Sequence, residues 1–535
     1  MEDDLIQFDM PTIPEFFKGR SIFITGATGF MGKVLVEKLL RSCPELDTIY
    51  LLLRPKKGHS VEERLDEFRN SQVFARLNEE RPGASMGTQL VAVAGDVSEK
   101  GFGLSEQDRD TLVRHVSVFF HSAASVRFDD PIKKAVSLNL RGTYEAVQLA
   151  EQMQHLVVFL YVSTTYSNTT RFVTDEAVYP PAADWRLLLR MIDELDDDTL
   201  EIVTPKILGK LPNTYGFSKG LAESVVNDHR DTVPAIIFRP SIVCSSVQEP
   251  FPGWLDNLNG PAGLLIACGK GLIHSVFCNM DLISDFSPVD VAIKAMIVAA
   301  WKNGVRRSRA MQKEGSSSEP KSELITEDAD DGRCSTTIPV YNCATSPVRN
   351  TTIGTVVTMA QELASEIPLN DCIWYPTGNT TTNRFRHTIV VFLMQILPAC
   401  IIDGLLKIKG EKTRLLRMQR RIFLACHALE YYLNNAWSFP NNRFQRLLEE
   451  IPDCDKETFG STIWEVDERE YFINCMRGAR KYLLNEPEDT MPAAKRHIVK
   501  MYWLDKIVRY GLLALIVYAL FSIFFGPSNI PNLPH

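Results

Sequence analysis

From Ser21 to about Ala300 the chain alternates short apolar runs, rich in β-branched residues, with longer amphipathic stretches. SIFIT (21–25), TIYLLL (48–53), QLVAVAG (89–95), VSVFFH (116–121), VVFLYVS (157–163) and AIIFRPS (235–241) read as buried strands. Segments of helical period such as KVLVEKLL and AVQLAEQM lie between them. Apolar strands separated by helices predict right-handed βαβ units and a Rossmann-type, doubly wound parallel sheet, an α/β fold.

The texture changes at about 306–335, where RRSRAMQKEGSSSEPKSELITEDADDG is polar, Ser-rich and then acidic. A disordered surface insertion is expected there. IPVYNCA (338–344) then reads as a strand returning to the first domain, so a dinucleotide-binding domain is expected over 15–347. Residues 350–485 carry helical patterning and predict a mainly α-helical C-terminal domain. Inside it, TIVVFLMQILPACII (388–402) is apolar but interrupted by Pro398 and closed by Asp403. At that length a buried core helix is the expectation; the alternative is a helix resting on a membrane or lining an acyl-chain tunnel.

The run IVRYGLLALIVYALFSIFF (507–525) is different, with no charge from Gly511 onward and nineteen residues in all. About twenty apolar residues cross a bilayer as a helix. Lys495, Arg496, Lys500, Lys506 and Arg509 precede it. A single-pass C-terminal transmembrane helix is therefore expected, with the large N-terminal part in the cytosol. Such an anchor suits the endoplasmic reticulum and the peroxisome equally.

Charge and cysteine usage narrow the function. The balance of 58 basic against 66 acidic residues leaves a net charge of −8, which argues against nucleic acid as a partner. The eleven cysteines show no CxxC pair and no metal-ligand spacing. Reduced thiols in a cytosol-facing protein, and no metal centre, are expected. MEDDLIQFDM at the start is acidic and has no apolar core, so no cleaved signal sequence is expected.

The strongest chemical motif is Thr25-Gly26-Ala27-Thr28-Gly29-Phe30-Met31-Gly32, set between a strand and a helix. Gly26 permits a tight turn, Gly29 lets backbone approach a pyrophosphate, and Gly32 lets helix and strand pack closely. The helix N-terminus then offers N–H groups to phosphate. After the second strand stands Arg54, followed by Lys56 and Lys57, where an NAD site would place an acidic residue. A guanidinium there suits a 2′-phosphate, so NADPH is expected. Asp96, after the third strand, could meet the adenine edge or simply cap a turn, and His121 with its small neighbours closes the fourth strand, where the cofactor could lie against the backbone or the His be merely a satisfied core group.

Tyr215-Gly216-Phe217-Ser218-Lys219 puts a phenol and an ammonium on one face of a helix. Reduction of a carbonyl by hydride needs an acid for the emerging alkoxide, and a neighbouring ammonium is expected to lower the phenol toward useful acidity. Ser163, Thr164 and Thr165 follow the fifth strand, at the sheet edge where ligands bind. Thr164 is the favoured hydroxyl partner to the substrate oxygen and Ser163 the second choice. Asn139 could hold a proton-relay water, or make only a local hydrogen bond.

TGATGFMGKVLVEKLLRSCPELDTIYLLLRPKKG, HSAASVRF, YVSTTYSN, PNTYGFSKGLAE, RPSIV and EPFPGWLDNLNGPAGL together resemble the fatty acyl-CoA reductases of animals and plants. The resemblance continues more weakly through LEYYLNNAW and RKYLLNE. It implies reduction of a long-chain fatty acyl-CoA to a primary alcohol with two NADPH and release of CoA. Tyr215 and Lys219 would be the catalytic pair, Thr164 or Ser163 their partner, and the C-terminal helices the walls of the acyl channel. The same cofactor and catalytic residues would serve a membrane-bound sterol dehydrogenase, against which the PFPGWLDN run and the helical region speak. A reductase that stops at the aldehyde stays open.

Overall fold

The computed structural model describes residues 10–55, 58–82, 86–314, 338–412, 414–461 and 466–525. Seven strands form one parallel sheet: β1 (Ser21–Thr25), β2 (Ile49–Leu53), β3 (Leu90–Ala94), β4 (Val116–His121), β5 (Val158–Val162), β6 (Ala235–Pro240) and β7 (Val340–Cys343). Their spatial order is β7-β6-β5-β4-β1-β2-β3. Every residue of β1, β4, β5 and β6 is buried, which is why the sequence shows them as unbroken apolar runs rather than as alternation. Consecutive strands run outward from β1 on one side and from β4 on the other. The order therefore reverses between β1 and β4, opening a crevice at their carboxyl ends.

The helices that matter to the site are α1 (Phe30–Ser42), α2 (Gly142–Ala150), α3 (Thr214–Asp228) and α4 (Val289–Glu314). Just before α2 the backbone makes a π-helical turn, Val136–Arg141, that holds Asn139. The expected insertion at about 306–335 is corrected in its first part. Residues 306–314 continue α4, because Arg, Ala, Met, Gln, Lys and Glu are all good helix formers. The remainder of that stretch, 315–337, lies outside the described residues.

The chain divides into two compact units that interleave. One holds the sheet and takes the chain up to Leu255, Ile283–Thr351 and Asn435–Tyr471; the other takes Asp256–Leu282, Thr352–Asn434 and the chain from Phe472. In the first unit the 435–471 segment braces the loop after β5. Trp437 donates from Nε1 to the Thr169 carbonyl at 3.1 Å, and Tyr166 packs edge-on against Trp437 and Phe439.

In the second unit, Asn379–Thr381 pairs in parallel with the short strand Ser275–Phe277. Three long helices follow: α5 (Arg384–Ile408), α6 (Leu415–Leu433) and α7 (Met491–Phe525). The expectation of a buried core helix at 388–402 is overturned. Among the described residues α5 is long and apolar enough to cross a membrane, yet only 22% of its most apolar stretch is buried. Phe385, Phe392, Ile401, Leu405 and Ile408 all face outward. Every residue from Arg509 to Ser522 of α7 is likewise exposed.

Candidate active site

The turn after β1 sits in the crevice between β1 and β4. Gly26 has φ +77°, and a Cβ there would come within 2.7 Å of the Ala123 backbone nitrogen, just beyond β4. At Gly32 a Cβ would strike the Gly26 carbonyl at 2.2 Å and Ala27 Cα at 2.6 Å, so only glycine lets α1 start this close to the strand. Gly29 differs: a Cβ there would meet only the Gly26 carbonyl, at 3.2 Å. Gly29 also N-caps α1 with no side-chain cap, leaving the first helical N–H groups, those of Phe30 and Met31 among them, to an outside acceptor. A tight inner turn, an open outer face and an uncapped helix start fit a dinucleotide pyrophosphate.

Arg54 follows β2 directly and is 68% exposed in its side chain, with one guanidinium nitrogen 3.5 Å from Asp96 Oδ2. Asp96 in turn accepts from the backbone and hydroxyl of Ser98 through Oδ1. Lys56 and Lys57 lie outside the described residues. Thr25 and His121 do structural work at the crevice floor. The His121 ring shares hydrogen bonds with Thr25 Oγ1 at 2.8 Å and with Thr143 Oγ1 at 3.3 Å. Burial, reinforced by the Lys219 charge, pushes it down to about 3, so it is neutral and ties β1, β4 and α2 together. Its side chain is thus a satisfied core group.

The catalytic candidates come together at the carboxyl end of β5. Asn213 caps α3 by accepting from the Gly216 N–H at 3.0 Å, which places Tyr215 in the first helical turn. Thr164 is the side-chain neighbour that acts on its hydroxyl, and Thr164 Oγ1 accepts from the Tyr166 N–H at 3.2 Å. Burial pushes the Tyr215 phenol up to about 12, with Thr164 opposing. The expected lowering by Lys219 is not what governs this phenol. One turn further on, the buried Lys219 ammonium donates to the Val162 carbonyl at 2.6 Å and lies 4.4 Å above the Tyr161 ring. Desolvation pulls Lys219 down to about 7, with the Glu223 carboxylate working the other way.

Of the three hydroxyls after β5, Thr164 is the one beside Tyr215. Ser163 is turned inward and donates to Glu223 Oε1 at 2.5 Å. Thr165 is buried, with no hydrogen-bond partner for its hydroxyl among the described residues. Asn139 is buried too, bonded to Ser125 through backbone N–H and carbonyl and to Ser218 Oγ at 2.9 Å. Its carboxamide connects the π-helical turn to α3.

Glu223 is the residue that reading the sequence missed. Its carboxylate takes two bonds from Arg239, at 2.8 and 2.7 Å, and further bonds from Ser163 and Ser167. Arg239 also donates to the carbonyls of Asp175 and Ala177. This buried ion pair pins the whole 163–177 loop onto α3 and β6. The spacing Tyr215, Lys219, Glu223 carries the signal, since steps of four keep all three on one helix face.

Comparison with known proteins extends over nearly the whole chain. Two family models, both described as male sterility protein, match residues 24–296 and 394–486. Fatty acyl-CoA reductase 1 of Xenopus laevis is 35% identical over 521 residues, 97% of this chain and 95% of that protein. The Homo sapiens protein of that name is 34% identical over the same span, and fatty acyl-CoA reductase 2 of Bos taurus is 33% identical over 492 residues, 92% and 90% of the two chains. Among solved structures, a reductase domain of a nonribosomal peptide synthetase from Mycobacterium tuberculosis shares the fold, with TM-score 0.54 at 18% identity over 88% of this chain and 93% of that one. Likeness of that extent to named reductases, spanning the glycine turn and the Tyr215–Lys219 helix alike, means that the chain belongs to the fatty acyl-CoA reductase family.

Proposed function

We propose that the protein reduces a long-chain fatty acyl-CoA to a primary alcohol, consuming two NADPH and releasing CoA. The observation that supports it most directly is the gathering of Thr164, Tyr215 and the buried Lys219 ammonium at the carboxyl end of β5, in a chain of this family. The Gly26–Gly32 turn would hold the pyrophosphate, Lys219 would serve the nicotinamide ribose, and Arg54 would take the 2′-phosphate. Arg54 rather than an acidic residue after β2 is the argument for NADPH over NADH. When bound, the cofactor supplies hydride to the carbonyl carbon.

The protein's own part is to hold and move a proton. Thr164 donates to the thioester oxygen and fixes its position beside the Tyr215 hydroxyl. Burial keeps that phenol protonated at neutral pH, and it gives its proton to the oxygen as negative charge builds there. The resulting hemithioacetal loses its C–S bond, CoA leaves as the thiol, and an aldehyde remains. Tyr215 would pass a second proton to the aldehyde oxygen, and with a second cofactor as reductant the product would be the alcohol. Lys219, charged in a pocket that disfavours charge, stabilises the phenolate that forms between proton deliveries.

The exposed apolar length of α7 supports a C-terminal membrane anchor, with the basic stretch before it and the reductase body on the cytosolic side of the endoplasmic reticulum or peroxisome. The test of the chemistry is a product balance on purified protein with palmitoyl-CoA. Two NADPH oxidised per CoA released, with hexadecanol as the product, is the expected result. One NADPH per CoA with accumulating aldehyde would overturn the alcohol assignment. Sterol-driven reduction of NAD⁺ without thioester turnover would overturn the substrate class.

A further inference from the structure

We propose that α5 and α6 form a hairpin that docks on the membrane surface as a second lipid contact, embedded from one side without crossing. This rests on the membrane reading above and adds a site to it. Exposed apolar side chains run the length of α5, among them Phe385, Phe392, Ile401 and Ile408, and α6 adds Phe423 and Leu424. An exposed apolar surface of this extent marks an interaction site.

The charge around it names the occupant. Between residues 407 and 421 stand Lys407, Lys409, Lys412, Arg414, Arg417, Arg420 and Arg421, against Glu411 alone, in a chain whose overall balance is acidic. All seven cations belong to exposed residues. Apolar side chains beside a band of lysine and arginine match the layered chemistry of acyl chains beneath anionic headgroups.

The anchoring of the hairpin decides between lying in the interface and spanning. Both of its ends return to one strand. Asn379–Thr381 pairs with Ser275–Phe277 just before α5 begins, and just after α6 Asn434 donates to the Phe277 carbonyl at 3.1 Å. Leu433 also accepts from the Asn279 N–H at 3.1 Å, and Arg384 pairs with Glu430 at 2.8 Å across the base. If α5 crossed the bilayer, α6 would have to cross back, carrying Arg417, Arg420 and Arg421 through the hydrocarbon. Charged groups there are costly, so the pair stays at the interface. Asp403 holds the bend together by accepting from the backbone N–H groups of Arg414, Leu415 and Leu416.

A native thiol reports on the site. Cys400 lies exposed on the apolar helix, and Cys454 is an exposed reference in the sheet-bearing unit. The full chain is reconstituted into phosphatidylcholine vesicles with or without phosphatidylserine, and alkylation of each cysteine by a charged maleimide is followed by mass spectrometry. In the serine-lipid vesicles Cys400 is expected to react at least about tenfold more slowly than Cys454, because a charged maleimide does not enter hydrocarbon. The triple variant Arg417→Glu, Arg420→Glu, Arg421→Glu should restore Cys400 reactivity while resistance to alkaline carbonate extraction, which reads the C-terminal anchor separately, stays as in the wild type. Equal rates at Cys400 and Cys454 in vesicles would overturn the proposal. So would protection of Cys400 that is independent of lipid and grows with protein concentration, which would mean that a second copy of the chain covers this face.

Discussion

At the scale of single residues, three glycines in one turn do different work, and substitution separates them. Gly32→Ala forces a methyl into the Gly26 carbonyl and Ala27, so the strand and helix must part. It should lower the melting temperature and leave little folded enzyme. Gly29→Ala meets one carbonyl at 3.2 Å and is expected to leave the melting temperature nearly unchanged. Its methyl would stand where the proposed site takes a pyrophosphate, so the KM for the proposed cofactor, NADPH, should rise by about tenfold or more, a loss of roughly 1.4 kcal/mol or greater in binding. Thermal melts beside cofactor titrations check both outcomes. Lys219 makes a second residue-scale prediction. Its folded pKa of about 7 lies below the ordinary 10.5, so between those values the unfolded chain holds the extra proton. Stability contributed by this group therefore rises with pH across that window. Urea midpoints near pH 7 and near pH 9 should diverge more for the wild type than for Lys219→Met. The proposed mechanism uses the charged form, so kcat should fall as pH climbs through about 7.

At the scale of elements, the Glu223–Arg239 pair is where α3, β6 and the loop after β5 are fastened together. Glu223→Gln leaves a guanidinium with essentially no solvent access and no counter-ion. Breaking such a pair from one side costs about 3–5 kcal/mol, visible as an earlier urea midpoint. Adding Arg239→Met to that variant should recover part of the loss, since the orphaned charge is gone. The pair also shows what the sequence conceals. Fully buried parallel strands write themselves as apolar runs, so β1 to β7 were legible to within a residue or two, and the glycine turn followed from its place after β1. Tyr215 and Lys219 were legible from their spacing. Glu223 was not, because a charged residue on a helix ordinarily faces water, and its partner sits 16 positions away. Nor could sequence say that Ser163 turns toward Glu223 while Thr164 meets Tyr215, because neighbouring hydroxyls after a strand differ only in the side of the backbone they leave from. Run length favoured a core helix at 388–402, and only the packing shows that its apolar face is bare.

For the whole molecule, two exposed apolar stretches, on α5 and on α7, set the terms of the proposed membrane attachment. Helix α7 is 35 residues long, about 52 Å at the α-helical rise and longer than the roughly 30 Å hydrocarbon layer, so only its distal part is required to cross. The near part is held within its own unit. Asp505 is buried, accepts from Trp374 Nε1 at 2.7 Å and pairs with Arg509, so the helix is fixed at the point where its apolar stretch begins. An arginine placed in the middle of that stretch costs about 2.5–3.5 kcal/mol of insertion on translocon-derived scales. Leu515→Arg should accordingly shift the protein from the carbonate-resistant membrane fraction into the extractable one. NADPH-dependent thioester reduction measured in detergent should persist, because the change touches only an exposed position. The hairpin of α5 and α6 would still hold this variant to anionic vesicles at low salt and release it as salt screens the seven cations, since attraction to headgroups falls off within a Debye length. Full resistance to carbonate in Leu515→Arg would move the anchor away from α7.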